Sequence, residues 1–332
     1  MYAVVMTGIG EPEVLQYQSV PDPIIKSPTE MLVKLKAASV NPIDTKLRQR
    51  GNFYKQIPAI LGCDGAGIVE AVGSAVTKFK VGDAVYFCHG GLGKHQGNYA
   101  EYTTIEEDLA ALKPTSLSFV EAAAAPLVLI TAWEALYDRA RLADNKKVLI
   151  HGGAGGVGHM AIQLAKHKDA MVATTVSSQE KAEFCLSLCP DVYPIFYKQR
   201  DFVAATMQWT NGEGVAVAFD TVGGKVLEQT FAAVEIYGDV VTILAPDADT
   251  NWKVARDRNL RISLELMLTP MLQERRDLQK RQVQILEQAR SLFDSGKLTV
   301  KVGEQLPLKE AAQAHALLAG GKVKGKVVLI PN

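Results

Sequence analysis

Six residues, Gly153-Ala154-Gly155-Gly156-Val157-Gly158, follow the spacing G-x-G-x-x-G. Glycines so placed allow a tight turn, let the backbone come close to a pyrophosphate, and let a helix pack on the strand before it. A helix beginning there adds free N–H groups and a partial positive charge, which together suit an anion. About 20 residues further on, a chain that binds NAD usually places Asp or Glu to hold the ribose hydroxyls. Here the segment reads Thr174-Thr175-Val176-Ser177-Ser178, with Lys181 beyond it. Hydroxyls and an ammonium suit a 2′-phosphate that a carboxylate would repel, so NADPH is the expected ligand. The same residues have a structural reading, in which Ser177 caps a helix and Glu180 closes a capping box. Both can hold. Lys181 in a first helical turn opposes the helix dipole, a cost that a bound phosphate reverses.

The elements that must position this loop are legible around it. Val148, Leu149 and Ile150 form a short apolar run, the pattern of a strand buried on both faces. Val157, Met160, Ala161, Leu164 and Ala165 recur at helical spacing, and a second strand is expected over 171–176. Further strands are expected over 215–219 and 239–244, an alternation that implies a doubly wound parallel sheet. Residues 260–266, with Leu260, Ile262, Leu264 and Leu266 alternating against Arg261, Ser263 and Glu265, read as a half-exposed edge strand. A charged helix over 274–293, a helix over 307–318 and a strand over 326–330 follow.

The N-terminal third is β-rich. Val33, Leu35 and Ala37 alternate with Lys34 and Lys36, and strand signals recur over 65–72, 81–87 and 97–104, suggesting a small barrel or sandwich. Between them Asn41-Pro42-Ile43-Asp44 opens a helix with Pro at its first position and an acid at its third. Another helix opens at 117–124.

The 332 residues suggest two domains. Its 36 basic and 36 acidic residues cancel, so no general field draws nucleic acid or an anionic membrane. The first residues lack the charge and apolar length of a signal peptide, and the longest apolar run, 122–130, is too short to span a bilayer. Cys63, Cys88, Cys185 and Cys189 are too scattered for a disulfide framework. A soluble cytoplasmic protein is expected. Cys88, His89 and His95 invite a metal reading, but their spacing fits no metal site, and loop residues without metal are expected.

Several ordered motifs carry a resemblance over essentially the whole length. They are Val5-Met6 with Gly10-Glu11-Pro12-Glu13-Val14-Leu15, Val40-Asn41-Pro42-Ile43-Asp44, Gly65-Ala66-Gly67-Ile68-Val69-Glu70, Gly82-Asp83-Ala84-Val85, Tyr99-Ala100-Glu101-Tyr102, the glycine loop itself, and Gly325-Lys326-Val327-Val328-Leu329. The chain resembles the medium-chain dehydrogenase/reductase superfamily and, within it, the zinc-free quinone oxidoreductase (zeta-crystallin-like) branch. The resemblance implies an α/β fold in which a Rossmann NADPH-binding domain, 123–266, interrupts a GroES-like β-rich catalytic domain, 1–122 and 267–332.

The resemblance also implies site residues. Where zinc alcohol dehydrogenases of the superfamily carry Cys and His ligands, this chain has Asn41 and Cys63, and the third ligand falls near Leu127, so no metal is expected. For the cofactor the resemblance implies Ala154, Gly155, Gly156, Val157 and Gly158, then Thr175, Ser177, Ser178, Lys181 and Tyr197. It adds Asp220, Thr221, Val222 and Gly223 beside the ribose, Leu244 and Ala245 behind the nicotinamide, and Thr131 near its ring. Asn41 and Asp44 match family positions at the substrate end, although both also suit a helix cap. Several quinone reductases have Tyr where this chain has Lys46; Phe53 and Tyr54, with Cys63, are the remaining candidates to line a substrate pocket. The implied activity is zinc-independent, NADPH-dependent reduction of quinones or other α,β-unsaturated carbonyls by a homodimer paired through the 260–266 strand. The alternatives are a zinc-type alcohol dehydrogenase and a non-catalytic NADPH-binding structural or sensor protein.

Overall fold

The computed structural model describes residues 1–321 and 323–331. The chain divides into two compact units: Met1–Leu127 with Leu268–Gly296 and Val300–Asn332, and Val128–Met267 with Lys297–Thr299. The fold is α/β, with a parallel Rossmann-like sheet in one unit and a largely antiparallel sheet domain in the other.

The second unit is built on six parallel strands. Their spatial order is Tyr193–Phe196, Met171–Val176, Lys147–Ile150, Val215–Asp220, Val234–Thr242, Arg261–Leu264. The order reverses beside Lys147–Ile150, the switch point at which open α/β sheets bind ligands beyond their strand ends. Val148, Leu149 and Ile150 are fully buried, as an apolar run between two helical layers requires. The helix Gly156–His167 buries Met160, Ala161, Leu164 and Ala165, the stripe expected from their spacing. Arg261–Leu264 is the sheet's edge, and its alternation follows from that position: Leu264 is 60% exposed.

The first unit centres on the long strand Glu30–Val40. It is paired antiparallel with Asp64–Val72, Tyr102–Glu106 and Lys326–Ile330. Ala84–Cys88 and Ala111–Leu112 extend the sheet on one side, and Val302–Pro307 on the other. That last strand has no sequence signal because three of its six residues are polar or glycine and only Leu306 is buried. The expected helix at 307–318 therefore starts later, as Ala311–Ala319. Two short helices enter as expected: Pro42–Arg50 behind Asn41, and Phe119–Ala124 behind a Ser118–Glu121 capping box.

Candidate functional site

Because the six strands of the second unit run in parallel, their carboxyl ends share one edge, and the turns leaving that edge collect most of the cofactor candidates. The glycine loop leaves Lys147–Ile150, Ser177 and Ser178 follow Val176, and Tyr197 follows Phe196. Thr221, Val222 and Gly223 follow Asp220, while Leu244 and Ala245 come just beyond Thr242. Thr131 belongs to none of these turns and is buried on the helix Pro126–Trp133.

The three fingerprint glycines answer to different demands. A Cβ on Gly153 would come within 2.2 Å of the Thr174 hydroxyl, and one on Gly158 within 2.2 Å of the Gly152 carbonyl oxygen. Both glycines are required by the fold itself, one for the strand and one for the helix. Gly155 differs: its Cβ would meet only the Gly152 oxygen, at 3.2 Å. The space beside it suits a group from outside the unit, which is the fit expected for a pyrophosphate. Gly155 is the N-cap of Gly156–His167, whose first turn carries no acid. The leading N–H groups of a helix have no partner within it, so Gly156, Val157 and Gly158 present donors there.

Several polar candidates are engaged in holding this loop. Thr174 donates to the Ile150 carbonyl (2.6 Å), and Thr221 to the His151 carbonyl (2.7 Å). Thr175 accepts the Gly152 N–H at 3.0 Å and lies 3.3 Å from His151 Nδ1. On the far side of that ring, Nε2 is 2.9 Å from the Thr230 hydroxyl, which itself donates to the Val226 carbonyl. Thr230 must therefore accept from Nε2–H, leaving Nδ1 to accept from Thr175. Burial lowers His151 to about 4, which keeps that neutral tautomer at pH 7. Asp220, fully buried, accepts from the N–H groups of Val222 and Gly223 and from the Thr242 hydroxyl (2.8–3.1 Å). It shapes the turn at Gly223, where φ is +76° and an added Cβ would press on Leu244.

One expectation is corrected. The cap of the helix Gln179–Leu188 is Ser178, whose hydroxyl accepts the Lys181 N–H at 3.4 Å; Ser177 stands one residue outside. Either serine fits the sequence, and the extended backbone at Ser178 decides it. Lys181 takes the third helical position, and Tyr197 is half-exposed with its N–H on the Val176 carbonyl.

In the first unit, Asn41 and Asp44 belong to a buried polar cluster. Asn41 follows the strand as the N-cap of Pro42–Arg50, in a capping box with Asp44 at the third helical position, although its own side chain makes no cap hydrogen bond. The amide instead donates from Nδ2 to Asp64 Oδ2 (2.9 Å) and accepts at Oδ1 from the Lys326 ammonium. Asp64 also accepts from the Ser39 hydroxyl (2.8 Å) and the Leu127 N–H (2.9 Å), and Lys326 Nζ lies 3.6 Å from Asp64 Oδ2. Asp44 Oδ2 accepts the Asn41 N–H (2.8 Å) and the Tyr99 hydroxyl (3.1 Å). The phenol has then given its one hydrogen, so His315 Nε2, 3.2 Å away, donates to it. Burial raises the Asp44 carboxyl to about 7, against the pull of the Asn41 N–H and the phenol. Burial also holds His315 down to about 3, lowers Lys326, and pushes the Cys63 thiol well up.

Cys63 is sealed from solvent, whereas Phe53 is 53% exposed and Tyr54 donates to the Leu272 carbonyl at 3.3 Å. Neither aromatic makes a hydrogen bond to the Asn41 cluster. Sequence reasoning missed Asp64, Tyr99, Lys326, His315 and His151. The available signal was charge where apolar residues were due: Asp64 opens a buried strand, and Lys326 opens the run Val327-Val328-Leu329.

Comparison with known proteins reaches both units. The alcohol dehydrogenase GroES-like domain matches residues 27–115, and the zinc-binding dehydrogenase domain matches 192–329. A quinone oxidoreductase of Pseudomonas aeruginosa strain PAO1 is 32% identical over 327 residues, 97% of each chain. The chain belongs to the medium-chain dehydrogenase/reductase superfamily. A zinc-type alcohol dehydrogenase-like protein of Staphylococcus aureus strain COL is 33% identical over 310 residues, 90% of each. The solved Escherichia coli quinone oxidoreductase in complex with NADPH superposes with a TM-score of 0.87 at 29% identity over the whole of both chains. Superfamily membership makes the chain an oxidoreductase of this NAD(P)-dependent family. Among the described residues, no three His, Cys, Asp or Glu side chains are grouped to hold a metal. The His89 and His95 rings lie with centroids 5.1 Å apart, tilted by 43°, and no third such side chain joins them among the described residues.

Proposed function

We propose that this protein is an NADPH-dependent, zinc-independent reductase of quinones or other α,β-unsaturated carbonyls. The observation that carries the reading is the donor set around Asn41. A catalytic zinc needs three protein ligands, and here an amide stands between an ammonium and a carboxylate, beside a thiol held protonated by burial. Reducing an isolated carbonyl builds a localised alkoxide, which a Lewis acid ordinarily stabilises. Quinones and enones spread the charge as phenolate or enolate, so polarisation by hydrogen-bond donors suffices. NADPH, when bound, would supply the hydride. The chain's own part is to seat its pyrophosphate on the N–H groups behind Gly155, to meet the 2′-phosphate with Ser177 and Lys181, and to polarise the acceptor with Asn41. The name of the P. aeruginosa relative and the NADPH in the E. coli structure support this reading.

The test follows NADPH oxidation optically against a panel of quinones, enones, plain aldehydes and alcohols, with and without chelator. Quinones or enones should react far faster than aldehydes, and the chelator should leave the rate unchanged. Chelator-sensitive oxidation of alcohols would establish the zinc-type reading that the S. aureus relative's name suggests. Tight NADPH binding without turnover of any acceptor would favour the non-catalytic one.

For assembly, we infer a homodimer paired through the edge strand Arg261–Leu264. Its exposed Leu264, with half-exposed Leu266 beyond, suits a second copy of the same edge. Light scattering should show a dimer that Leu264→Lys converts to monomer; a monomeric wild type at working concentration refutes this.

A further inference from the structure

We propose that Lys326 is a positioning residue that, together with Asp64, clamps the Asn41 amide in one orientation. The argument rests on donor and acceptor capacity. An ammonium has three donors and no acceptor, and an ionised carboxylate only accepts. The Asn41 amide lies between them, Oδ1 on Lys326 and Nδ2 on Asp64 Oδ2. Turning the amide over would set NH2 against NH3⁺ and C=O against COO⁻, two repulsions in place of two charge-assisted bonds. All three side chains are essentially sealed from water, Lys326 being 3% exposed, so little screening softens the choice. Nδ2 carries two hydrogens, of which Asp64 takes one. The clamp thereby fixes the direction of the second.

A buried lysine is a costly way to complete an apolar strand. Met in its place would continue Val327-Val328-Leu329, and replacing a buried ion pair by apolar or neutral groups is often neutral or stabilising. Stability alone therefore gives no reason for the ammonium, whereas aiming an amide does. Ser39 and the Leu127 N–H fix Asp64 from its other sides, so the clamp's acceptor arm is rigid. The inference rests on the quinone/enone reading above: Asn41 is itself sealed from solvent, so the clamped amide acts on the acceptor through its fixed dipole, and its direction matters only if that acceptor is reduced here.

The test separates charge balance from orientation. Lys326→Met combined with Asp64→Asn removes both charges at once. Under the proposal this double variant melts close to the wild type, keeps its KM for NADPH and quinone within about twofold, and loses about 10- to 100-fold in kcat. Lys326→Gln combined with Asp64→Asn restores a donor without the charge, and should recover about tenfold of that loss. Wild-type kcat in the Met-containing double variant overturns the proposal, since Lys326 then only neutralises Asp64. Should that variant not fold, Lys326→Met and Lys326→Gln are compared as single variants: a kcat about tenfold lower for Met than for Gln supports the clamp, and equal kcat in the two folded proteins overturns it. Wild-type protein without quinone or enone turnover would instead remove the functional reading, before any variant is made.

Discussion

Around Gly155, backbone donors border a space that the second unit leaves open, whereas around Asn41 the first unit closes polar side chains away from water. The first arrangement suits a polyanion that arrives and leaves, because helix N–H groups need no counter-charge of their own. The second suits a fixed field, because charges in a low dielectric hold their partners strongly and reorganise little. Mobile ligand binding and preorganised polarity are thus divided between two kinds of construction. The hydroxyls of Thr174, Thr175 and Thr221 underline the division, since they stiffen the glycine loop.

The largest test of the closed site is its pH dependence. The Asp44 carboxyl is raised to about 7 in the folded chain by burial, against an ordinary value of about 4. The folded state thus holds the extra proton between those values. Its contribution is fully present below about pH 4 and is lost as pH rises through about 7. His315 and His151, lowered by burial to about 3 and about 4, act in the opposite sense. Their contribution is present above about pH 6.5 and is lost in acid. Asp44→Asn removes only the first term. Relative to wild type, the variant should gain up to about 4 kcal/mol between pH 4 and pH 8, three units at about 1.36 kcal/mol each. Urea melts across that range check it, and a parallel pH profile for the two proteins would show Asp44 not to be a buried proton site.

The open site is tested by its glycines. Gly158→Ala drives a methyl into the Gly152 carbonyl and should destabilise the protein by about 3 kcal/mol. Gly155→Ala meets only one oxygen at 3.2 Å, so its melting temperature should stay near wild type while NADPH affinity falls at least about tenfold, or about 1.4 kcal/mol. Calorimetry and thermal melts together separate the two. Equal melting shifts would erase the distinction between glycines kept for the fold and the one kept for a ligand.

The same contrast explains what could be read beforehand. The glycine loop, its strand and its helix are local in sequence, and their apolar periodicity survives without tertiary information. The buried cluster is not local: Asn41 meets Asp64, Tyr99 answers Asp44, and Lys326 closes the set from almost 300 residues away. No spacing rule reaches across that separation, so Asn41 appeared either as a cap or as a catalytic amide. In the structure Asn41 and Asp44 form the capping box of Pro42–Arg50, and the Asn41 amide also bonds Asp64 and Lys326. Val302–Pro307 failed for a simpler reason, since a half-exposed polar strand has no alternating apolar face.

A smaller effect bears on which nucleotide the open site prefers. Lys181 sits at the third helical position behind Ser178, where the helix dipole disfavours a cation. Lys181→Ala should narrow the NADPH-over-NADH preference by about 1.5–3 kcal/mol if a charge-assisted bond to the 2′-phosphate is lost. Equal affinity of wild type for the two nucleotides would remove the basis for the preference.

The smallest effect separates the two serines beside that lysine. Ser178 accepts the Lys181 N–H at 3.4 Å, a long bond for a cap. Ser178→Ala should therefore cost about 0.5–1 kcal/mol of stability, at the low end for such caps. Ser177, one residue outside the helix, carries no part of that cap. Ser177→Ala should leave the melt unchanged within about 0.5 kcal/mol while weakening NADPH, but not NADH, by about 1 kcal/mol. Denaturant melts paired with nucleotide titrations read both quantities on the same samples. A stability loss at 177, or an NADH loss equal to the NADPH loss there, would mean that this serine supports the loop rather than the phosphate, and that the open site discriminates through Lys181 alone.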